Sequence, residues 1–148
     1  MSSGHSRAGG FTLIELIVVV SVVAILAATV APSIFRNVGD AKIAAAKADL
    51  AAIGLALDTY ALHSDRYPTT AQGLEALARR PETPPVPGGW RGPYLRKGAP
   101  RDPWGNPYQY RSPGAANPDS YDLWTFGRDG REGGLGEDAD LRSWGGAQ

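Results

Sequence analysis

"FTLIELIVVVSVVAILAATVA", residues 11–31, is an apolar run carrying one charge, Glu15. As a helix rising 1.5 Å per residue it extends about 30 Å, the thickness of a bilayer's hydrocarbon core. A secretory signal peptide has a charged start, an apolar stretch of about 7–15 residues and then a small-residue cleavage site. Here the run is longer and the small residues, "AGG" at 8–10, come before it. Processing is therefore expected to leave the apolar segment on the mature chain, and an uncleaved signal anchor is the plain reading. Charge specifies orientation poorly, with Arg7 on one side and Arg36 and Lys42 on the other.

Glu15 narrows the choice. A carboxylate inside a membrane helix costs roughly 2.5–3.5 kcal/mol on insertion scales, and such residues are usually functional and partnered. No lysine or arginine lies within a helical turn of it. If the chain were cut between Gly10 and Phe11, Phe11 would carry a new α-amino group about 6 Å along the axis from Glu15. Within one chain that pair is poorly placed. A second copy shifted along the axis could bring its own amine alongside, which would make Glu15 a device for register.

The stretch "GGFTLIELIVVVSVVAILAATVAP" resembles the class III leader junction shared by type IV pilins and type II secretion pseudopilins. The resemblance implies that a prepilin peptidase cuts after Gly10 and methylates Phe11, that Glu15 is the assembly glutamate, and that Pro32 is the family's helix-kinking proline. It divides the chain into a leader (1–10), a transmembrane and polymerisation helix (11–31) and a globular domain (32–148).

Beyond the membrane segment, Pro32 is expected to kink or loosen the helix. Helical spacing then resumes: Ile43, Ala46, Leu50, Ile53, Leu57 and Tyr60 form one apolar stripe, which predicts a helix over 33–62. The stripe covers under three heptads, so packing onto the chain's own sheet is expected rather than a coiled coil.

Composition agrees with a modest domain carrying an appendage. The 148 residues hold 15 Lys+Arg and 15 Asp+Glu, so nothing in the balance points to nucleic acid. The absence of cysteine excludes disulfides, thiol nucleophiles and thiolate metal sites. With only His5 and His63, both isolated, a histidine-based centre is not expected.

"YPTTAQGLEAL" (67–77) reads as a turn and a short helix capped by Thr69 or Thr70, with Leu74 and Leu77 inward. Residues 81–107 hold eight of the 12 prolines and read as an ordered loop track. In "RDPWGNPYQYR" a Trp-Gly-Asn turn is expected to lead into a strand around 107–112, joined to a second strand over 120–126 as an antiparallel hairpin by "PGAANPD". "GRDGREGGLGEDADLRSW" (127–144) lacks the Gly-Lys-Ser/Thr of a phosphate loop and the alternate ligand spacing of an EF-hand. Asp129, Glu132, Glu137, Asp138 and Asp140 nevertheless crowd into it. A solvated acidic surface loop is one reading. Calcium, which takes six to eight oxygens from carboxylates and carbonyls, is the other.

Three stretches, "YPTTAQGLEAL", "GPYLRKGAPRDPWGNPYQY" and "YDLWTFGRDG…DADLRSW", fall in order after the leader and resemble the major pseudopilins of type II secretion. That resemblance implies an α+β, pilin-like fold: a long N-terminal helix packed on a small antiparallel sheet, with a glycine-rich C-terminal loop. It also implies calcium held by Asp129, Asp138, Asp140 and the carbonyl of Phe126, with Glu137 competing with Asp138 for its place. The function implied is structural and not enzymatic: a homopolymer forming a periplasmic filament that drives folded proteins across the outer membrane. Its implied partners are minor pseudopilins, the prepilin peptidase, the inner-membrane assembly platform and a separate cytoplasmic ATPase. The mature chain would cross the bacterial inner membrane once, with its C-terminal domain in the periplasm. Two alternatives stand beside this. One is a type IV pilus subunit for adhesion or DNA uptake; the other is a membrane-anchored enzyme with a site around 102–140, for which Ser112, Ser120 and His63 offer no supporting spacing.

Overall fold

The computed structural model describes residues 10–145. The chain divides into two compact units, Met1–Val38 and Gly39–Gln148. Helix α1, Leu13–Ser64, contributes to both.

The described side chains of the first unit belong to the apolar run, and all of them from Gly10 to Thr29 are exposed. Among the described residues no helix is long and apolar enough to cross a membrane. The side chains of 30–36 lie outside the description, so the expected span 11–31 extends beyond what is described. Helix α1 runs the expected segments 11–31 and 33–62 together as one long helix. It continues without a break through Pro32, because one proline removes a single donor while the hydrogen bonds on either side persist. At its C-terminal end it reaches Ser64, where Asp65 turns left-handed at φ 57° and stops it.

In the second unit the apolar stripe is the core. Ala46, Leu50, Ile53, Leu57 and Tyr60 are buried. Leu50, Ile53, Leu57 and Tyr60 pack in one cluster with Leu74, Leu77, Tyr108 and Leu123. Alanines at neighbouring positions favour helix without adding bulk. The Tyr108 hydroxyl reaches across to donate to Asp49 at 3.1 Å.

Leu74–Leu77 forms a 3₁₀ turn rather than an α-helix. Thr69 does cap, but it caps the turn before it: its hydroxyl accepts from the Gln72 backbone N–H, and the Gln72 side-chain Oε1 accepts from Thr69 N–H. The Gln72 amide also donates to the carbonyls of Thr83 and Pro85. Arg80 donates to Pro87, and Trp90 to Ala76. These side-chain bonds hold the proline-rich track, whose ring nitrogens cannot donate to a ladder.

Strands β1 (Gln109–Arg111), β2 (Asp122–Thr125) and β3 (Leu141–Arg142) form an antiparallel sheet in the order β1-β2-β3. Tyr110 pairs with Leu123, and Thr125 with Leu141. Alternation along β2 buries Leu123 and Thr125 on one face. Trp124, on the other, meets Phe126 and Trp144 edge-on. The hairpin is as expected, though its strands are shorter. Its connection closes on Asp122, which accepts from the N–H groups of Ala115 (2.6 Å), Ala116 (2.9 Å) and Asn117 (3.1 Å) and from the Asn117 side chain. Strand β3 lies inside the segment read as a loop, and corrects that reading.

Candidate functional site

Gly10, Phe11 and Thr12 are exposed and precede the helix. A Cβ on Gly10 would meet nothing within 4 Å. Thr12 starts α1: its hydroxyl accepts from Glu15 N–H at 3.2 Å and its carbonyl accepts from Leu16 N–H at 3.2 Å. Thr-Leu-Ile-Glu thus has capping-box spacing, a signal the sequence reading passed over. Glu15 sits in the first turn, where the helix dipole favours a carboxylate. Among the described residues no ion pair involves it. Residues 1–9, the rest of the expected leader, lie outside the described residues.

The acidic loop folds back on itself. Arg128 N–H donates to Glu137 O at 2.8 Å. Gly127, at φ 70°, lies so close to the returning limb that a Cβ there would sit 2.6 Å from Glu137 O and 2.8 Å from Ala139 O. A 3₁₀ turn at Gly136–Asp138 then leads into β3.

Each expected ligand has a place in this loop. Asp129 accepts from Arg131 N–H at 3.1 Å. Asp138 accepts from Arg128 Nε and Nη2 at 2.9 and 3.0 Å. Asp140, its side chain only 8% exposed, accepts from Gly133 N–H and from Arg142 Nη2, both at 3.1 Å. Glu137 accepts from Trp104 Nε1 at 2.9 Å, with Arg128 Nη1 3.5 Å from its second oxygen. Phe126 packs on Trp124. The hydrogen bond from Arg128 to Asp138, and then the charges of Asp138 and Glu137, raise the arginine pKa above its ordinary value.

Hard carboxylate oxygens suit calcium. As arranged, however, they face arginines and backbone N–H groups, and among the described residues no three carboxylates or histidines are placed to hold a metal ion. The donor types fit the ion; this conformation of the loop does not form its cage.

The Trp-Gly-Asn turn at 104–106 is as expected, and it fastens the loop through Asp102, whose role the sequence reading passed over. Buried Asp102 accepts from the N–H groups of Trp104 (3.1 Å) and Asn106 (2.8 Å) and from the Thr125 hydroxyl. Asn106 then donates to Gly127 O at 2.7 Å, at the loop's start, while Trp104 holds Glu137 at its end. The available signal was Asp-Pro-Trp-Gly-Asn, an aspartate able to bond the backbone two residues on. Of the groups weighed for an enzyme, His63 bonds Tyr94 at 3.0 Å and the Ser112 N–H bonds Thr70.

Residues 33–144 match the family model described as type II secretion system (T2SS), protein G. Residues 5–31 match that of the prokaryotic N-terminal methylation motif. The chain is 50% identical over 136 residues to the type II secretion system core protein G of Pseudomonas aeruginosa, covering 91% of this chain and 94% of that one. Identity to the Vibrio cholerae core protein G is 47%, covering 91% and 90%. The crystal structure of the major pseudopilin from the type 2 secretion system of enterohaemorrhagic Escherichia coli superposes with a TM-score of 0.61 at 38% identity. That match covers 73% of this chain and 90% of the other.

Proposed function

Because the chain belongs to the type II secretion system protein G family, we propose that it is a major pseudopilin, the repeating subunit of a secretion pseudopilus. The observation that carries this reading is one of order: the methylation motif at 5–31 leads directly into the protein G region at 33–144. In this reading the peptidase cuts between Gly10 and Phe11, and the apolar run 11–31 holds the subunit in the inner membrane before assembly. Copies then polymerise through α1 beneath minor pseudopilins at the tip, on an inner-membrane platform. The role is structural, and growth of the filament pushes folded proteins through the outer membrane.

Glu15 has two tasks in this proposal. Its place in the first turn suits the helix dipole, and its carboxylate takes the neighbouring copy's methylated Phe11 amine. Glu15→Val should insert at least as well as the wild type, since a desolvated charge is removed. It should nevertheless form no filaments in cells that carry the secretion apparatus. Filaments of normal length from Glu15→Val, seen by electron microscopy, would remove the assembly role.

Calcium is carried forward within the same proposal. Asp129, Asp138, Asp140 and the Phe126 carbonyl would supply oxygen donors, and a bound ion would offset the mutual repulsion of these carboxylates.

A further inference from the structure

Three backbone carbonyls in succession open the glycine-rich loop, those of Phe126, Gly127 and Arg128, and their surroundings differ. The Asn106 side chain takes two of them: its amide donates to Gly127 O at 2.7 Å and to Arg128 O at 3.3 Å. A side-chain amide has two hydrogens, so both are engaged. The remaining carbonyl is oriented from inside the domain. Thr125, fully buried, gives its hydroxyl hydrogen to Asp102, and its oxygen accepts from Gly127 N–H at 3.2 Å. The 126–127 peptide is not among the cis bonds, and in a trans unit a carbonyl points opposite to the N–H that follows it. With Gly127 N–H drawn to Thr125, the Phe126 carbonyl is turned away from that buried hydroxyl. Carried two residues past Gln109↔Trp124, the strand register would place Pro107 opposite Phe126, and a proline has no N–H to offer. Among the described residues no hydrogen bond reaches the Phe126 carbonyl.

We infer that Thr125 and Asn106 are positioning residues for the ion proposed above: they reserve the Phe126 carbonyl, of the three, as its backbone oxygen donor. Asp102 acts one step further back, because it fixes which way the Thr125 hydroxyl points. The inference rests on the calcium reading and adds to it two residues that carry no charge and touch no ion.

Calcium titrations of the full-length protein in detergent micelles test it, read as the calcium concentration that gives half-maximal hydrogen-exchange protection over 127–140. Urea midpoints in chelator report stability separately. Thr125→Val keeps the shape and loses the hydroxyl, and should raise the half-maximal concentration roughly tenfold, as removing a partner behind a metal ligand commonly does. Thr125→Ser keeps the hydroxyl and loses a methyl; it should lower the urea midpoint yet titrate within about twofold of wild type. Asn106→Leu, close in size, frees the Gly127 and Arg128 carbonyls without disturbing Thr125, and should also titrate roughly tenfold higher. Wild-type titration by Thr125→Val and Asn106→Leu, or equal shifts for Thr125→Val and Thr125→Ser, would overturn the positioning role and leave the calcium reading intact. A wild-type protein indifferent to millimolar calcium would overturn both.

Discussion

Asp122 closes a loop with one side chain. Its oxygens collect three backbone N–H groups and one amide from 115–117, donors that the connection between the strands would otherwise leave to water. Burial alone would raise its pKa; the hydrogen bonds from Ala116, Asn117 and Ala115 outweigh it, and the net shift is downward. A carboxylate lowered in the folded state contributes stability above its unfolded pKa, about 3.9, and loses it as pH falls through the native value. Asp122→Ala should cost about 2–4 kcal/mol in urea denaturation at neutral pH, because several donors lose their acceptor at once. Its stability should also fall less steeply than the wild type's below about pH 4. Equal midpoints at pH 7 would show that the loop closes without these bonds. Neither Asp122 nor the Arg128–Asp138 pair was legible in the sequence. Asp122's partners are backbone groups of any residue type, and Arg128 meets its carboxylate ten positions away, beyond the reach of any periodic pattern.

At the scale of the element, α1 offers a sharp contrast between two leucines. Leu57 is fully buried in the core cluster, while Leu55 is 69% exposed. Leu57→Ala should lose about 2–5 kcal/mol through lost transfer energy and an unfilled cavity. Leu55→Ala should stay within about 0.5 kcal/mol of wild type. Paired denaturation curves check both, and a costly Leu55→Ala would mean that this face packs against something. The buried stripe was readable because five turns of 3.6-residue spacing repeat the same signal. The hairpin was readable because β-branched and aromatic residues alternate on either side of a turn-rich connection. Strand β3 was not, since two residues carry no alternation and Leu141–Arg142 joins the sheet only because β2 offers an edge. The start of α1 was also misjudged, by overlooking Thr12 as its cap. Its end lies at Ser64, where the left-handed Asp65 stops it, a conformation no residue pattern announces.

For the whole molecule, the proposed maturation is the first event to measure. Removing residues 1–10 takes away Arg7 and leaves 14 Lys+Arg against 15 Asp+Glu, close to neutrality. In a host with the peptidase, intact-mass and N-terminal analysis should find methylated phenylalanine from Phe11; a retained Met1 would refute that cut. The apolar run and the methylation motif around it were the most legible features of the chain, because both are local. The domain is not local, and its build order has a consequence for the cell. The helix face bearing Leu50, Ile53, Leu57 and Tyr60 is made early, while its covers arrive late: Tyr108 bonds Asp49 across 59 positions, and β3 lies near the end of the chain. Synthesis at about 5–20 residues per second leaves that face bare for roughly 4–16 s after Tyr60 is added. During that interval each nascent copy carries a greasy strip suited to its own unfinished half and equally open to a sister copy's. The chain therefore meets a hazard of wrong pairing before its own domain is complete.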